Sequence, residues 1–331
     1  MNRIRIANSR FYSSLAFREV ASLDWVEYTE ATPQENAQAL HEGLVDLAHI
    51  PVSEFAMHGG YVGIDFGVST VKQIDSVMLF AQQPIDKLKT IYLDAGASTS
   101  VVLLQLLLAE KWMLTPKMLR VERQSLLESV GGTNGVLIIG DAALSCRDKF
   151  PVAIDLTSVW YQLTGLPFVY TIWAKRPGTL SKEQGRCIDE LFHRHAKIRT
   201  TLATRYHNEV HVPMPDALHY IERIKHYLDD STIQGLNEFI SRAARLKLLP
   251  DCRYKTARYN ILNNRAAKLR RRTSVNDLLE RSVEGKRLGI HDGMRLAEEA
   301  SLADLGLIAD LLRTRLFATR SVSVAYRPDI T

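Results

Sequence analysis

The chain has 331 residues, 46% of them hydrophobic and 24% charged, with a net charge of +5. That length supports two or three hydrophobic cores, and the composition is that of an ordinary globular protein rather than a fibrous or disordered one. No apolar run approaches the roughly 20 residues that span a bilayer, and the start MNRIRIANSRFY has no export-signal pattern. Three widely spaced cysteines, Cys146, Cys187 and Cys252, offer neither a disulfide framework nor a metal-ligand spacing, which fits a reducing cytoplasm.

Arg3–Ala7 and Trp25–Tyr28 alternate as strands. Thr32-Pro33-Gln34-Glu35 is a helix start with Thr as N-cap, Pro in the first turn and Glu three residues on; that helix runs to about His41 and stops at Gly43. Val45–Ile50 reads as a buried strand leading through Pro51 into a short helix that ends near Gly59-Gly60, and Val77–Ala81 as a central strand. Ile91–Leu93 is a strand and Ala95–Ala97 a tight turn, after which Ser98, Thr99 and Ser100 open an apolar helix to Met113. Strand Leu119–Glu122, helix Ser125–Val130, and strands Gly135–Ile139 and Phe168–Trp173 follow. Strands separated by helices predict largely parallel sheets covered on both faces.

After Pro177 the pattern turns helical, over Ser181 to about Tyr206, Pro213–Leu228 and Ile233–Leu246, with a strand only at Val210–Val212. Between Arg253 and Arg272 lie eight basic residues and no acidic one, so the rest of the chain nets three negative charges. A block of this kind is a solvated face or linker; without an interleaved aromatic pattern it does not read as a nucleic-acid groove. Helices at Val275–Val283, His291–Ala300 and Leu302–Leu316 and a strand at Val322–Tyr326 complete the chain.

Ligands of open α/β sheets sit beyond the carboxyl ends of strands. The candidate lining is therefore the Pro51–Glu54 turn, Ser76, Ala97–Ser100, Gly140-Asp141 and Gly165–Phe168. It is rich in hydroxyls and amides and poor in His, Lys and Arg, which suits a carboxylate held by neutral donors better than metal-assisted hydrolysis. The hydroxyls at Ser98–Ser100 either cap the helix or hold an anion against its positive end. Asp141 is either catalytic or a turn cap, and Glu54 either a carboxylate base or a partner of its helix dipole. His193 and His195 point in different directions, and His207 with His211 lacks a third ligand, so no metal site is expected.

IPVSEF (Ile50–Phe55), DSVMLF (Asp75–Phe80), LDAGASTSVVLL (Leu93–Leu104), LIIGDAAL from Leu137, DLTSVW (Asp155–Trp160) and TGLPFVYTIWAKR (Thr164–Arg176) occur in this order. Together they resemble the chorismate dehydratase family of the futalosine route to menaquinone, over roughly residues 1–250. The resemblance implies a fold similar to type II periplasmic binding proteins, with two α/β lobes, one over about residues 1–83 and 175–250 and the other over about 84–174. The implied activity is hydro-lyase chemistry on chorismate, giving 3-[(1-carboxyvinyl)oxy]benzoate and water with no metal or cofactor. On the family's motif positions, Ser76, Thr99 and Ser100 are expected to hold substrate carboxylates and Asp141 to sit at the cleft. Two positions depart from the family's pattern. Phe11 stands where the first strand's Tyr-Leu-Asn run would place Asn, leaving Asn8 or Ser9 to substitute from a shifted loop, and Lys72 stands where a Gly is expected. Lys72 is then an added cation for a carboxylate or an exposed loop residue. Asn8, Glu54 and Asp141 are the catalytic candidates. The alternatives are a catalytically impaired binding protein for an aromatic carboxylate, motivated by Phe11, and a pathway scaffold.

Beyond the basic linker at 251–273, residues 274–331 resemble the N-terminal helices of radical S-adenosylmethionine enzymes of the same route, without their CxxxCxxC motif. This stretch reads as a truncated fusion or as an appendage, and such an enzyme is the partner it would engage.

Overall fold

Runs of Val, Ile and Leu pair into two mixed sheets in the computed structural model, which describes residues 2–252 except 123–125, 147–148 and 211, together with Tyr254 and Leu296. The chain divides into two units, Met1–Tyr259 and Asn260–Thr331, and every element named here belongs to the first. In chain order the strands are Ile4–Ser9 (β1), Val26–Ala31 (β2), Leu47–Pro51 (β3), Val62–Thr70 (β4), Val77–Ala81 (β5), Thr90–Asp94 (β6), Lys117–Val121 (β7), Asn134–Ile139 (β8), Val152–Asp155 (β9), Phe168–Lys175 (β10) and Lys225–Tyr227 (β11). One sheet runs β11-β4-β10-β3-β1-β2 and the other β7-β6-β8-β5-β9.

The alternation of strands and helices predicts largely parallel sheets, but both sheets are mixed. β1 pairs in parallel with β2 and β3, but β10 is antiparallel to both β3 and β4, and β5 is antiparallel to β8 and β9. These antiparallel strands follow from two crossings of the chain between the sheets, at residues 71–76 and 156–167. The lobe limits expected near 83 and 175 therefore move, because β5 joins the five-stranded sheet and β10 the six-stranded one.

β4 has a physical reason for escaping the sequence pattern. Two glycines, Gly63 and Gly67, break its apolar alternation, yet a Cβ on Gly67 would lie 2.1 Å from the Thr171 carbonyl oxygen. The close pass of β10, whose register shifts between Val169 and Thr171, admits only glycine there. The helix expected over Pro213–Leu228 stops at Arg223, and β11 continues it into the sheet. The Arg199 side chain takes up the carbonyls of Ile221, Glu222 and Ile224 where that helix ends. The expected Ser181–Tyr206 helix is two, Lys182–His195 and Arg199–Val210. The start at Thr32 forms as its sequence predicts, with a reciprocal pair of hydrogen bonds to Glu35.

Phe17 centres the core of the six-stranded lobe, in contact with His49, Phe66, Trp173, Phe192 and His226. On the helix Lys182–His195, burial and the nearby Asp65 and Glu190 push the Asp189 carboxyl up to about 7, while His193 lies 3.8 Å away. A carboxyl raised in the fold contributes stability that is present below its unfolded value of about 3.9 and is lost as pH rises through 7. Asp189→Asn should therefore be more stable than the parent at pH 8, by about 2 kcal/mol. Chemical denaturation should show that advantage shrinking toward pH 5.

Candidate functional site

The carboxyl ends of β1, β3, β6 and β8 meet at a cleft with about 570 Å³ of open space. Ser9 ends β1 and Phe11, Ser13 and Ser14 follow it, Pro51 ends β3, and Tyr170 and Thr171 reach in from β10. Opposite them stand Ser76 ahead of β5, Gly96 and Ser98–Ser100 after β6, and Gly140 after β8. Val68, Ile74, Val77 and Ile139 supply apolar wall. Among the described lining residues only Tyr170 titrates, and burial, with Asp155 nearby, pushes its phenol well above the usual value. The cleft thus offers hydroxyls and amides to an anion and an apolar surface to a flat ring.

The hydroxyls that open the helix Thr99–Leu107 do not cap it. Ser98, its N-cap residue, makes no side-chain capping bond; its hydroxyl instead donates to Glu54 Oε1 at 3.1 Å and pairs with the Ser53 hydroxyl. Thr99 Oγ1 accepts from the Ser53 amide at 3.2 Å. Ser53 and Glu54 belong to the short helix Val52–His58, so these bonds join one lobe to the other. Ser100 is 5% exposed, and its hydroxyl makes no hydrogen bond with a described residue and is left for the cleft. Ser76 accepts from the Tyr220 hydroxyl at 3.2 Å, which fixes its side chain at the cleft wall.

Ser76, Thr99 and Ser100 all line this cleft, whereas Asn8, Lys72, Asp141 and Glu54 do not. Asn8 is wholly buried. Its amide donates to the Tyr28 hydroxyl and the Ser14 carbonyl, and its Oδ1 accepts from the Ser9 amide, so it braces the loop after β1 from below. Lys72 is exposed and lies 5.7 Å over the Tyr161 ring, away from the lining residues. Asp141 also stays out of the lining. It opens the helix Asp141–Leu144 near the tilted, packed rings of Tyr12, Tyr206 and Tyr220, where burial raises all three phenols and its charge adds to that. Glu54 reaches the cleft only through Ser98. Gly165–Phe168 is not lining either: Gly165 ends the helix Leu156–Thr164 in a left-handed conformation and Phe168 is core.

Phe11 occupies the floor. Its ring meets Gly140 so closely that a Cβ there would lie 3.0 Å from it, and Gly140 holds φ at +72°. Ser9, named from the sequence as a substitute for the missing Asn, does line the cleft, whereas Ser13, Ser14 and Thr171 lie outside the sequence expectation. The rule applied to β3, β6 and β8 reaches Ser13 and Ser14 when applied to β1, whose carboxyl end reads NSRFYSS.

Behind this wall lie two buried histidines. Ser14 Oγ lies 3.2 Å from His49 Nδ1 and Thr171 Oγ1 2.8 Å from His49 Nε2. His226 Nε2 donates to the Ser13 carbonyl at 2.8 Å. Burial lowers both, His49 to about 3 and His226 to about 4, so both rings are neutral at pH 7. His207 bonds the Val212 carbonyl, while His211 lies outside the described residues, as do the segments expected beyond residue 254 except Leu296. Among the described residues no cluster of three or more His, Cys, Asp or Glu could hold a metal, and no helix is long and apolar enough to cross a membrane.

Solved structures share the fold at low identity. The alkanesulfonate-binding protein of Xanthomonas axonopodis pv. citri, bound to MOPS, superposes with a TM-score of 0.57 at 15% identity, covering 76% of this chain and 95% of that one. A Candida albicans protein described as having the generic periplasmic binding protein fold gives 0.53 at 11% identity, covering 77% and 97%. The chorismate dehydratase of Thermus thermophilus is 31% identical over 173 residues, which are 46% of this chain and 63% of that enzyme. A family model described as menaquinone biosynthesis matches residues 4–245. With most of the two-sheet unit inside that match, the chain belongs to the menaquinone biosynthesis family.

Proposed function

We propose that this chain is a chorismate dehydratase, converting chorismate to 3-[(1-carboxyvinyl)oxy]benzoate and water. The observation that carries the reading is the lining itself: hydroxyls from both lobes around an apolar slot, with no cationic side chain and no carboxylate among the described lining residues. Chorismate is a dicarboxylate on a cyclohexadiene ring that becomes flat when it aromatises. The Ser100 hydroxyl and the first amides of its helix suit one carboxylate, and hydroxyls across the cleft suit the other. Elimination breaks a ring C–H and a ring C–O bond and leaves the ring aromatic, so the protein's tasks are to orient the substrate and exclude water. With no basic group at pH 7 among the described lining residues, the ring proton passes to the substrate's own enolpyruvyl carboxylate, which hands it on to the departing hydroxyl, so that water leaves and the carboxylate is regenerated. A metal or cofactor is not needed for this step.

Incubating the full chain with chorismate should yield 3-[(1-carboxyvinyl)oxy]benzoate by liquid chromatography. Ser100→Ala should lower kcat/KM by about tenfold or more, the value of a hydrogen bond to a charged group, with an unchanged melting curve. Phe11 favours a second reading, a binding protein for an aromatic carboxylate without turnover, because its ring fills the floor beside Gly140. Chorismate binding by calorimetry without product would establish that reading and sink the dehydratase.

A further inference from the structure

We propose that His49, in its Nε2–H form, is a positioning residue that turns the Thr171 hydroxyl proton toward a carboxylate in the cleft. The imidazole is locked in place. It stacks on Trp173 at 5.2 Å and 16°, meets Phe17 edge-on at 5.3 Å, and is fully buried on β3. Both ring nitrogens bond hydroxyls of cleft residues, Nδ1 that of Ser14 and Nε2 that of Thr171. A neutral imidazole has one donor and one acceptor, and each hydroxyl has one proton. The two hydroxyls must therefore take opposite roles: one gives its proton to the ring, and the other receives the ring's proton and keeps its own to give elsewhere.

Burial decides which hydroxyl does which. Ser14 is 1% exposed, whereas Thr171 is partly open to the cleft. With Nε2 protonated, Ser14 spends its proton on Nδ1 inside the wall and Thr171 offers its proton outward. The opposite tautomer would turn Thr171 lone pairs toward an anion, which is unfavourable in a poorly solvated site. His49 thus sets the polarity of a cleft wall that carries no charge of its own. This inference rests on the reading of the cleft as a carboxylate site, but not on turnover.

The test uses calorimetric titration of chorismate into the full chain, with ¹⁵N NMR of the histidine rings in the ligand-free protein. Thr171→Val and His49→Phe should each weaken chorismate binding by about tenfold to a hundredfold. The double variant should be no weaker than Thr171→Val alone, because the ring acts through that hydroxyl. His49→Gln, whose amide N–H can occupy the Nε2 position, should keep most of the affinity. Additive losses in the double variant, or His49→Gln as weak as His49→Phe, overturn the proposal. So does an Nδ1–H tautomer in the spectrum of the unmodified protein, a reading that needs no variant to fold. Chorismate binding that follows this pattern without product formation removes the dehydratase reading and leaves His49 standing. If the parent chain does not bind chorismate, the dehydratase reading falls and the tautomer alone decides for or against His49.

Discussion

Asp155→Ala should cost on the order of 4 kcal/mol of stability, a large share of the 5–15 kcal/mol that holds a typical domain. Its carboxylate, 7% exposed, accepts four backbone amides. Oδ2 takes Ile74 at 2.9 Å and Asp75 at 2.7 Å, and Oδ1 takes Thr157 at 2.8 Å and Ser158 at 3.1 Å. The Thr157 and Ser158 bonds cap the helix Leu156–Thr164, a contribution of about 1 kcal/mol. The other two satisfy amides of buried residues in the first crossing between the sheets, each costing about 1–3 kcal/mol if left bare. Asp155→Asn keeps one acceptor oxygen and should fall between parent and Ala. Urea denaturation reads the series directly. A loss below about 1 kcal/mol for Asp155→Ala would reduce the residue to an ordinary cap.

The same carboxylate explains part of what the sequence shows and hides. DLTSVW marks a helix start, since Asp is a preferred N-cap and an apolar run follows. That the same Asp holds residues 74 and 75, about eighty positions upstream, depends on where the chain crosses between sheets, and no local pattern encodes that. The lobe limits misplaced near 83 and 175 fail for this reason. β5 and β10 read as strands from their own residues, but pairing assigns them to sheets. β4 fails differently, because the glycines that let β10 pass are the residues that weaken a strand pattern.

The site divides along a similar line. Ser76, Thr99 and Ser100 are legible because they follow strands and open a helix, so a local rule places them. Asp141 obeys the same rule and still misses the cleft, since Gly140, held at φ +72°, ends β8 and the next residue turns toward the tyrosines. Asn8 is on the right strand but faces into the lobe, where alternation along β1 puts it on the side of Tyr28 and Ser14. The histidines were invisible for the opposite reason. HIP and KHY are too short to show a period, and only tertiary packing brings His49 and His226 against Phe17.

Those two histidines should give the protein a steep loss of stability in acid. The unfolded chain protonates a histidine near pH 6.5, whereas the fold keeps His49 neutral to about 3 and His226 to about 4. With both values depressed, their stability contribution is complete above pH 6.5 and is lost as pH falls from there toward 4 and 3. At pH 4.5 the loss is on the order of 2–3 kcal/mol for each, against which Asp189 works in the opposite direction. His226→Gln isolates one of them. The Gln amide can still donate to the Ser13 carbonyl, and the Nδ1 it gives up has no hydrogen-bond partner among the described residues. Near pH 7.5 the variant should therefore lie within about 1 kcal/mol of the parent. At pH 4.5 it should be the more stable of the two by roughly 2 kcal/mol. Parallel stability curves for the two proteins between pH 7.5 and 4.5 would refute a neutral buried His226. Because the two rings hold the Ser13 carbonyl and the Ser14 hydroxyl, the loop they release first is the one that lines the cleft. On the proposed function, chorismate affinity should fall over that same pH window, before the rest of the fold gives way.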